Sequence, residues 1–194
     1  MEEIKLLIPD GNKSIISILG KRRSVRSYKD EMISLKDISE LLWAICGKNS
    51  EWGGRTAPSA GATYPLEIYL MALNVETLEK GLYHYQIEAH ALSLFNKGDI
   101  SRELSSACLN QKMPINAPAT VIIAADFGRT VTRYGERGRR YVYMEAGHCG
   151  QNLHIAAEFS GFGTVMIGAF KDEDVRKVLG IKEEILYLCP VGRK

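Results

Sequence analysis

Apolar residues recur along this chain at two different spacings, and each spacing predicts an element. Leu35, Ile38, Leu41, Leu42 and Ile45 stand at helical steps between Ser34 and Gly47, and Ser34 with Asp37 resembles a capping box built on the shorter acid. The longest helical pattern runs from about Arg139 to Phe159, where Val142, Ala146, Cys149, Leu153 and Ala156 form one seam. By contrast Leu66 to Leu73 and Ala119 to Ala125 are almost unbroken apolar runs with branched members, which suits strands covered on both faces. Gly81 to Tyr85 and Ala91 to Phe95 flank a short polar connection and predict an antiparallel hairpin. Shorter patterns predict helices over Ser14 to Gly20, Ile100 to Leu109 with Asp99 as N-cap, and Asp172 to Leu179. They also predict strands over Thr164 to Ile167 and Ile185 to Val191. Lys48 to Thr63, rich in Gly, Ser, Pro and Thr, reads as a long loop of the kind that often carries function. Because the order is not a clean alternation of strand and helix, the fold expected is α+β, with helices against a mixed sheet.

Composition changes this picture little. At 194 residues, 45% hydrophobic and 25% charged, the chain is expected to fold as one domain spanning 1–194. A formal net charge of +2 supplies no global field for nucleic acid or an anionic membrane, so a basic site must be local. Met1-Glu2-Glu3 is acidic, and no apolar stretch reaches the roughly 18 residues that suggest a membrane span. A cytoplasmic protein is therefore expected, with no membrane or nucleic-acid partner. Cys46, Cys108, Cys149 and Cys189 lack C-x-x-C spacing and read as buried free thiols. Ala146, Gly147 and Gly150 place very small side chains on the long helix, which suggests close helix packing across a dimer.

Candidate chemistry concentrates in four stretches. Arg22-Arg23-Ser24-Val25-Arg26-Ser27-Tyr28 brings three guanidinium groups and two serine hydroxyls together, a donor set that suits a phosphate or the edge of a planar heterocycle; a solvated basic loop explains the same residues equally well. Pro58-Ser59-Ala60-Gly61-Ala62-Thr63-Tyr64-Pro65 is a stretch of small residues feeding a buried strand, where the backbone can approach a flat ligand. Ile167-Gly168 stands at a strand end, and Gly192-Arg193-Lys194 forms a second basic cluster. The mixed run Arg133 to Arg140 reads as a rim that attracts phosphates or as a solvated helix entry. His148 and His154 are six apart on a helix and face different sides, so no metal ligand set is assigned. Gly161 and Gly163 are followed three residues on by Met166, so the dinucleotide fingerprint G-x-G-x-x-G is absent.

Taken in order, R-R-S-x-R-x-Y, P-S-A-G-A-T-Y-P, E-A-G-H-C-G-Q-N-L-H-I-A-A, G-F-G-T-V-M-I-G-A-F and the terminal P-V-G-R-K resemble the nitroreductase superfamily, most of all its SagB-type dehydrogenase branch. The resemblance implies an α+β homodimer with a largely antiparallel sheet, a long central helix and two FMN sites at the subunit interface. It implies that Arg22 and Ser24, with Arg23 between them, hold the FMN phosphate and ribityl chain, and that Arg26 reaches the pyrimidine edge of the flavin. Arg193 and Lys194 match terminal basic residues that also neutralise the phosphate. Pro58, Ser59 and Ala60, with Gly61, match a loop that reaches the flavin from the partner subunit. Ile167 and Gly168 match backbone that faces flavin N5. Ala62 stands where many classical nitroreductases carry an asparagine, which leaves ring binding to backbone and Arg26. The activity implied is hydride transfer from NADH or NADPH through FMN to a small organic acceptor such as a nitro or quinone compound, the cofactor rather than a dedicated acid or base carrying the chemistry. Dehydrogenation of azoline rings in a peptide and flavin binding without catalysis are the competing expectations.

Overall fold

A computed structural model describes residues 3–5, 15–49 and 52–194. Met1, Glu2 and Ser14, together with the part of the long loop at 50–51, lie outside the described residues. In chain order the elements are β1 (Glu3–Lys5), α1 (Ile15–Lys21), α2 (Leu35–Cys46), β2 (Leu66–Ala72), β3 (Gly81–Gln86), β4 (Ala91–Lys97), α3 (Ser101–Ala107), α4 (Met113–Asn116), β5 (Ala119–Ala125), α5 (Phe127–Tyr134), α6 (Arg137–Phe159), β6 (Phe162–Thr164), α7 (Asp172–Leu179) and β7 (Glu184–Arg193). A one-turn 3-10 helix, Ala60–Ala62, interrupts the loop before β2.

The strands form one sheet in the order β1-β4-β3-β2-β5-β7-β6, with every pairing between these strands antiparallel. Among the described residues parallel contacts occur only as isolated bridges, Ser24 with Thr164 and Ile33 with Val75. The period of a strand distributes its side chains to two cores. In β5, Ala119, Val121, Ile123 and Ala125 face Ile38, Leu42 and Ile45 of α2 and Val142, Cys149 and Leu153 of α6. Ile122 and Ala124 face the opposite core, with Leu104 of α3 and Val175 and Leu179 of α7. The fold is α+β with helices on both faces, and the unbroken apolar run of β5 follows from its being covered on both sides.

Helix α2 begins where its pattern predicts, with Ser34 Oγ accepting the Asp37 N–H at 3.0 Å. Other boundaries differ for local reasons. Helix α3 stops at Ala107 because Leu109 and Asn110 take left-handed backbone, although Asp99 does accept the Ser101 N–H at 3.0 Å. The buried seam of α6 ends on Ala157, four residues after Leu153, rather than on Ala156. The strand expected over Thr164 to Ile167 is displaced to β6, and Ile167 pairs separately with Leu188. Helix α5, absent from the sequence expectation, begins at Asp126, whose carboxylate accepts the Gly128 N–H at 2.9 Å, and ends at Gly135.

The small residues of α6 divide their roles. A Cβ on Gly150 would stand 3.1 Å from Met166 Sδ, whereas one on Gly147 would meet nothing within 4 Å. Gly147 therefore faces outward, on the same side as the exposed Tyr143, Met144 and His148.

At the β6–β7 edge, a Cβ on Gly163 would lie 2.5 Å from Val25 Cβ, so this backbone-to-side-chain approach tolerates only glycine without movement. Gly163→Ala is expected to cost about 1–3 kcal/mol by overpacking. Thermal denaturation checks this: an unchanged Tm would show that the Val25 segment moves aside freely.

Candidate functional site

After α1 the chain runs along the β6–β7 edge. The Val25 N–H donates to Thr164 O at 2.9 Å, and the Lys29 N–H donates to Arg193 O at 2.9 Å. The Tyr28 hydroxyl lies 2.8 Å from Val25 O and 3.1 Å from Pro190 O, while its ring edge rests against Gly192. Val25 and Tyr28 thus anchor the segment, and Arg23, Ser24 and Arg26 between and beside them stay exposed. Arg22, half-buried, lies close enough to His154 of α6 to lower the imidazole pKa, second to the burial of that ring. Among the described residues neither Arg22 nor Arg26 pairs with a carboxylate. Their charges are available to an anion.

The two basic clusters expected from sequence do come together, because the Lys29 bond lays one on the backbone of the other. The terminal side chains are already engaged. Arg193 Nη1 donates to Ser160 O at 3.0 Å, its guanidinium stacks 4.1 Å over the Phe162 ring, and Nη2 lies 3.8 Å from Asp37. Lys194 Nζ donates to Glu158 Oε2 at 2.5 Å. An anion arriving here finds Arg22 and Arg26 first and shares Arg193 and Lys194 with protein acceptors.

Further along the same edge, Ile167 exchanges both backbone hydrogen bonds with Leu188, at 2.8 and 3.0 Å. Its N–H is therefore spent within the sheet, and the exposed Gly168, with no partner for its N–H among the described residues, is the donor this turn presents. A Cβ there would still clear the Tyr187 ring at 3.6 Å, so open space rather than crowding characterises the position.

The Pro58–Gly61 loop lies elsewhere. Ser59 Oγ accepts the Tyr64 N–H at 2.9 Å, Arg133 of α5 donates to Gly61 O at 2.9 Å, and Arg129 donates to Tyr64 O at 3.0 Å. Thr63 Oγ1 stands 2.8 Å from Thr130 Oγ1. These ties hold a turn in which Gly61, Ala62 and Tyr64 have φ of 58°, 53° and 45°. Left-handed backbone costs a non-glycine residue about 1–2 kcal/mol, so the loop's shape is imposed by α5 rather than chosen by the loop. The arginine run expected as a rim is largely drawn into such internal contacts, Arg139 stacking 4.5 Å over Phe127 and reaching Glu184 at 3.4 Å.

Near Ser59 of the loop lies Glu145 of α6, only 5% exposed. Burial pushes its carboxyl up to about 7, against the opposing pull of Ser59 and the Arg55 charge. Arg55 stacks 4.3 Å over Tyr64, and its Nε is buried without a partner. Sequence reasoning missed Glu145 and Arg55. The available signal was an acid directly beside the apolar seam residue Ala146, one turn before Cys149. Glu145, near Ser59, and His154, near Arg22, stand nine residues apart on α6, about 14 Å along the helix axis.

Comparison with known proteins accords with this fold. The Nitroreductase family model matches residues 19–193. MJ1384 of Methanocaldococcus jannaschii, provisionally named a nitroreductase, is 43% identical over 194 residues, all of this chain and 98% of that protein. The microcin B17-processing protein McbC of Escherichia coli is 28% identical over 94% of this chain and 72% of its own length. A crystal structure provisionally described as a nitroreductase from Anabaena variabilis superposes with a TM-score of 0.87 at 29% identity; it covers 99% of this chain, which spans only 41% of that longer one. With a family model matched across residues 19–193 and a relative aligned from end to end, this chain belongs to the nitroreductase family.

Proposed function

We propose that the protein is an FMN-dependent NAD(P)H oxidoreductase that works as a homodimer and passes electrons to a small organic acceptor such as a nitro or quinone compound. The observation that carries this reading is the strip of half-buried Arg22 with exposed Ser24 and Arg26, the arginines without carboxylate partners among the described residues, held on the same sheet edge as the N–H of Gly168. That donor set fits FMN: guanidinium and hydroxyl groups for the phosphate and ribityl chain, Arg26 for the pyrimidine edge, and a backbone N–H beside an uncrowded glycine for the ring. When bound, FMN supplies two-electron chemistry that no side chain here provides. Arg22, Arg23 and Ser24 bind its phosphate end, with Arg193 and Lys194 contributing once they release part of their hold on Ser160, Asp37 and Glu158. Arg26 orients the ring and favours negative charge on it.

A dimer suits the same geometry. In this reading Pro58 to Gly61, set apart along α6 from their own chain's arginine strip, serve the strip of the partner. The outward face of α6, with Tyr143 53% and Met144 52% exposed around Gly147, is the surface offered for that contact. The likeness to McbC favours one second reading, a peptide azoline dehydrogenase of the SagB type acting with partner proteins.

The absorption spectrum of the purified protein, followed by anaerobic addition of NADH and NADPH, separates these readings. Flavin bands that bleach with either donor are expected, and bands that bleach only with a peptide substrate would favour the second. Arg26→Ala is expected to weaken FMN binding by about 1.5–3 kcal/mol, roughly ten- to a hundredfold in Kd, measured by flavin fluorescence quenching. An unchanged Kd and reduction rate would remove Arg26 from the site. Gly147→Trp is expected to convert the dimer to monomer in light scattering, since the bulk falls on the proposed contact; a dimer that persists would move the interface off this face.

A further inference from the structure

The N–H of Gly168 is only as good a donor as the turn that presents it. At the near end of that turn the Ile167 carbonyl accepts the Leu188 N–H at 3.0 Å. Because the Ile167–Gly168 peptide is planar and trans, its N–H points the opposite way, away from β7. Gly168 and Ala169 are both exposed, so packing does not settle the far end.

The far end is tied instead to the segment between α3 and α4. Gln111 Nε2 donates to Ala169 O at 2.9 Å, and the Lys171 N–H donates to Ala107 O at 3.0 Å. The Gln111 amide must face Ala169 through its nitrogen, since a carbonyl oxygen only accepts. Gln111 is itself held. Ser105 Oγ, on a residue 3% exposed, donates to Gln111 O at 2.7 Å, and the Gln111 N–H donates to Cys108 O at 3.1 Å. Just before it, Leu109 and Asn110 have φ of 58° and 62°, left-handed backbone that costs a non-glycine residue about 1–2 kcal/mol. Neither side chain recovers that cost by burial, as Leu109 is 54% exposed and Asn110 is exposed too. What this strained turn delivers is Gln111, facing Ala169.

We propose that Gln111 is a positioning residue: by fixing the Ala169 carbonyl it stops the Gly168 peptide from rocking about its bond to Leu188, and so makes the Gly168 N–H a rigid donor to a ring nitrogen of a flat heterocycle. This rests on the FMN reading for the identity of the ligand but not for the hold of Gln111 on the turn. A rigid donor distinguishes the redox forms of a flavin. N5 of the oxidised ring accepts a hydrogen bond, whereas N5 of the reduced ring carries a hydrogen of its own, so a fixed N–H favours the oxidised form and one free to turn aside favours it less.

Two measurements on the full chain test this, each with two variants. Gln111→Met keeps the length and bulk of the side chain but cannot donate, and Gln111→Lys restores a donor on a flexible stem. In flavin-free, 15N-labelled protein, backbone order parameters at Gly168, Ala169 and Phe170 are expected to fall below about 0.6 in Gln111→Met and to recover in Gln111→Lys, while Ile167 and Leu188 stay near about 0.85 in both. Unchanged order parameters in Gln111→Met overturn the proposal. The second measurement is the Kd of oxidised and of reduced FMN under anaerobic conditions. Gln111→Met is expected to weaken the oxidised form about tenfold and the reduced form little, which raises the midpoint potential by about 30 mV, and Gln111→Lys reverses the change. Equal weakening of both forms, or a lower Tm with the ratio of the two Kd values unchanged, marks a merely structural role and also overturns the proposal. Absence of FMN binding to the wild type in either form sinks the FMN reading instead, and the order parameters still decide whether Gln111 holds the turn.

Discussion

Strand β7 bonds to β5 along one side and to β6 along the other, and a third run of chain, Val25 to Lys29, lies against that edge without being a strand. The approach is possible because Gly163 and Gly192 leave room for Val25 and Tyr28. Everything at the candidate site inherits its position from this contact. Arg23 and Arg26 are exposed because their neighbours are anchored, the two basic clusters meet because Lys29 bonds the Arg193 backbone, and Gly168 faces the same edge because Ile167 is tied to Leu188. Electrostatics selects the ligand, but close packing of backbone on side chain decides where the charges stand.

Helix α6 plays the complementary part of a ruler. Its buried side joins α2 to the sheet, its middle carries Glu145 near Ser59 of the Pro58–Gly61 loop, and its last turns carry His154 and Glu158 near the basic cluster.

Elements with strong periodicity were legible in the sequence: α2 with its Ser34 cap, the bilaterally buried β2 and β5, α6 and α7 all stand where their patterns predict. What escaped was short or polar. Helix α5 presents Arg129, Thr130 and Arg133 to the loop and buries only Phe127 and Thr130, so its pattern carries almost no hydrophobic signal. Of the site, the arginine segment and the glycine turn could be read as donor-rich stretches, but the spending of Arg193, Lys194 and the Ile167 N–H on internal partners depends on tertiary contacts that no local pattern encodes. Glu145 was hidden because it sits beside an apolar seam and its polar neighbours, Ser59 and Arg55, are far away in the chain.

The single N–H at Gly168 has a geometric corollary. One hydrogen bond fixes a point of a flat ligand and leaves it free to swivel about that point, whereas the paired bonds of Ile167 with Leu188 fix a line. A ring held at Gly168 acquires its angle only from a second contact at its far edge, and on this surface Arg26 is the flexible arm offered for it. Small changes in the length or reach of that arm would therefore rotate the ring rather than displace it, altering which face is turned to an incoming molecule while leaving the anchor in place.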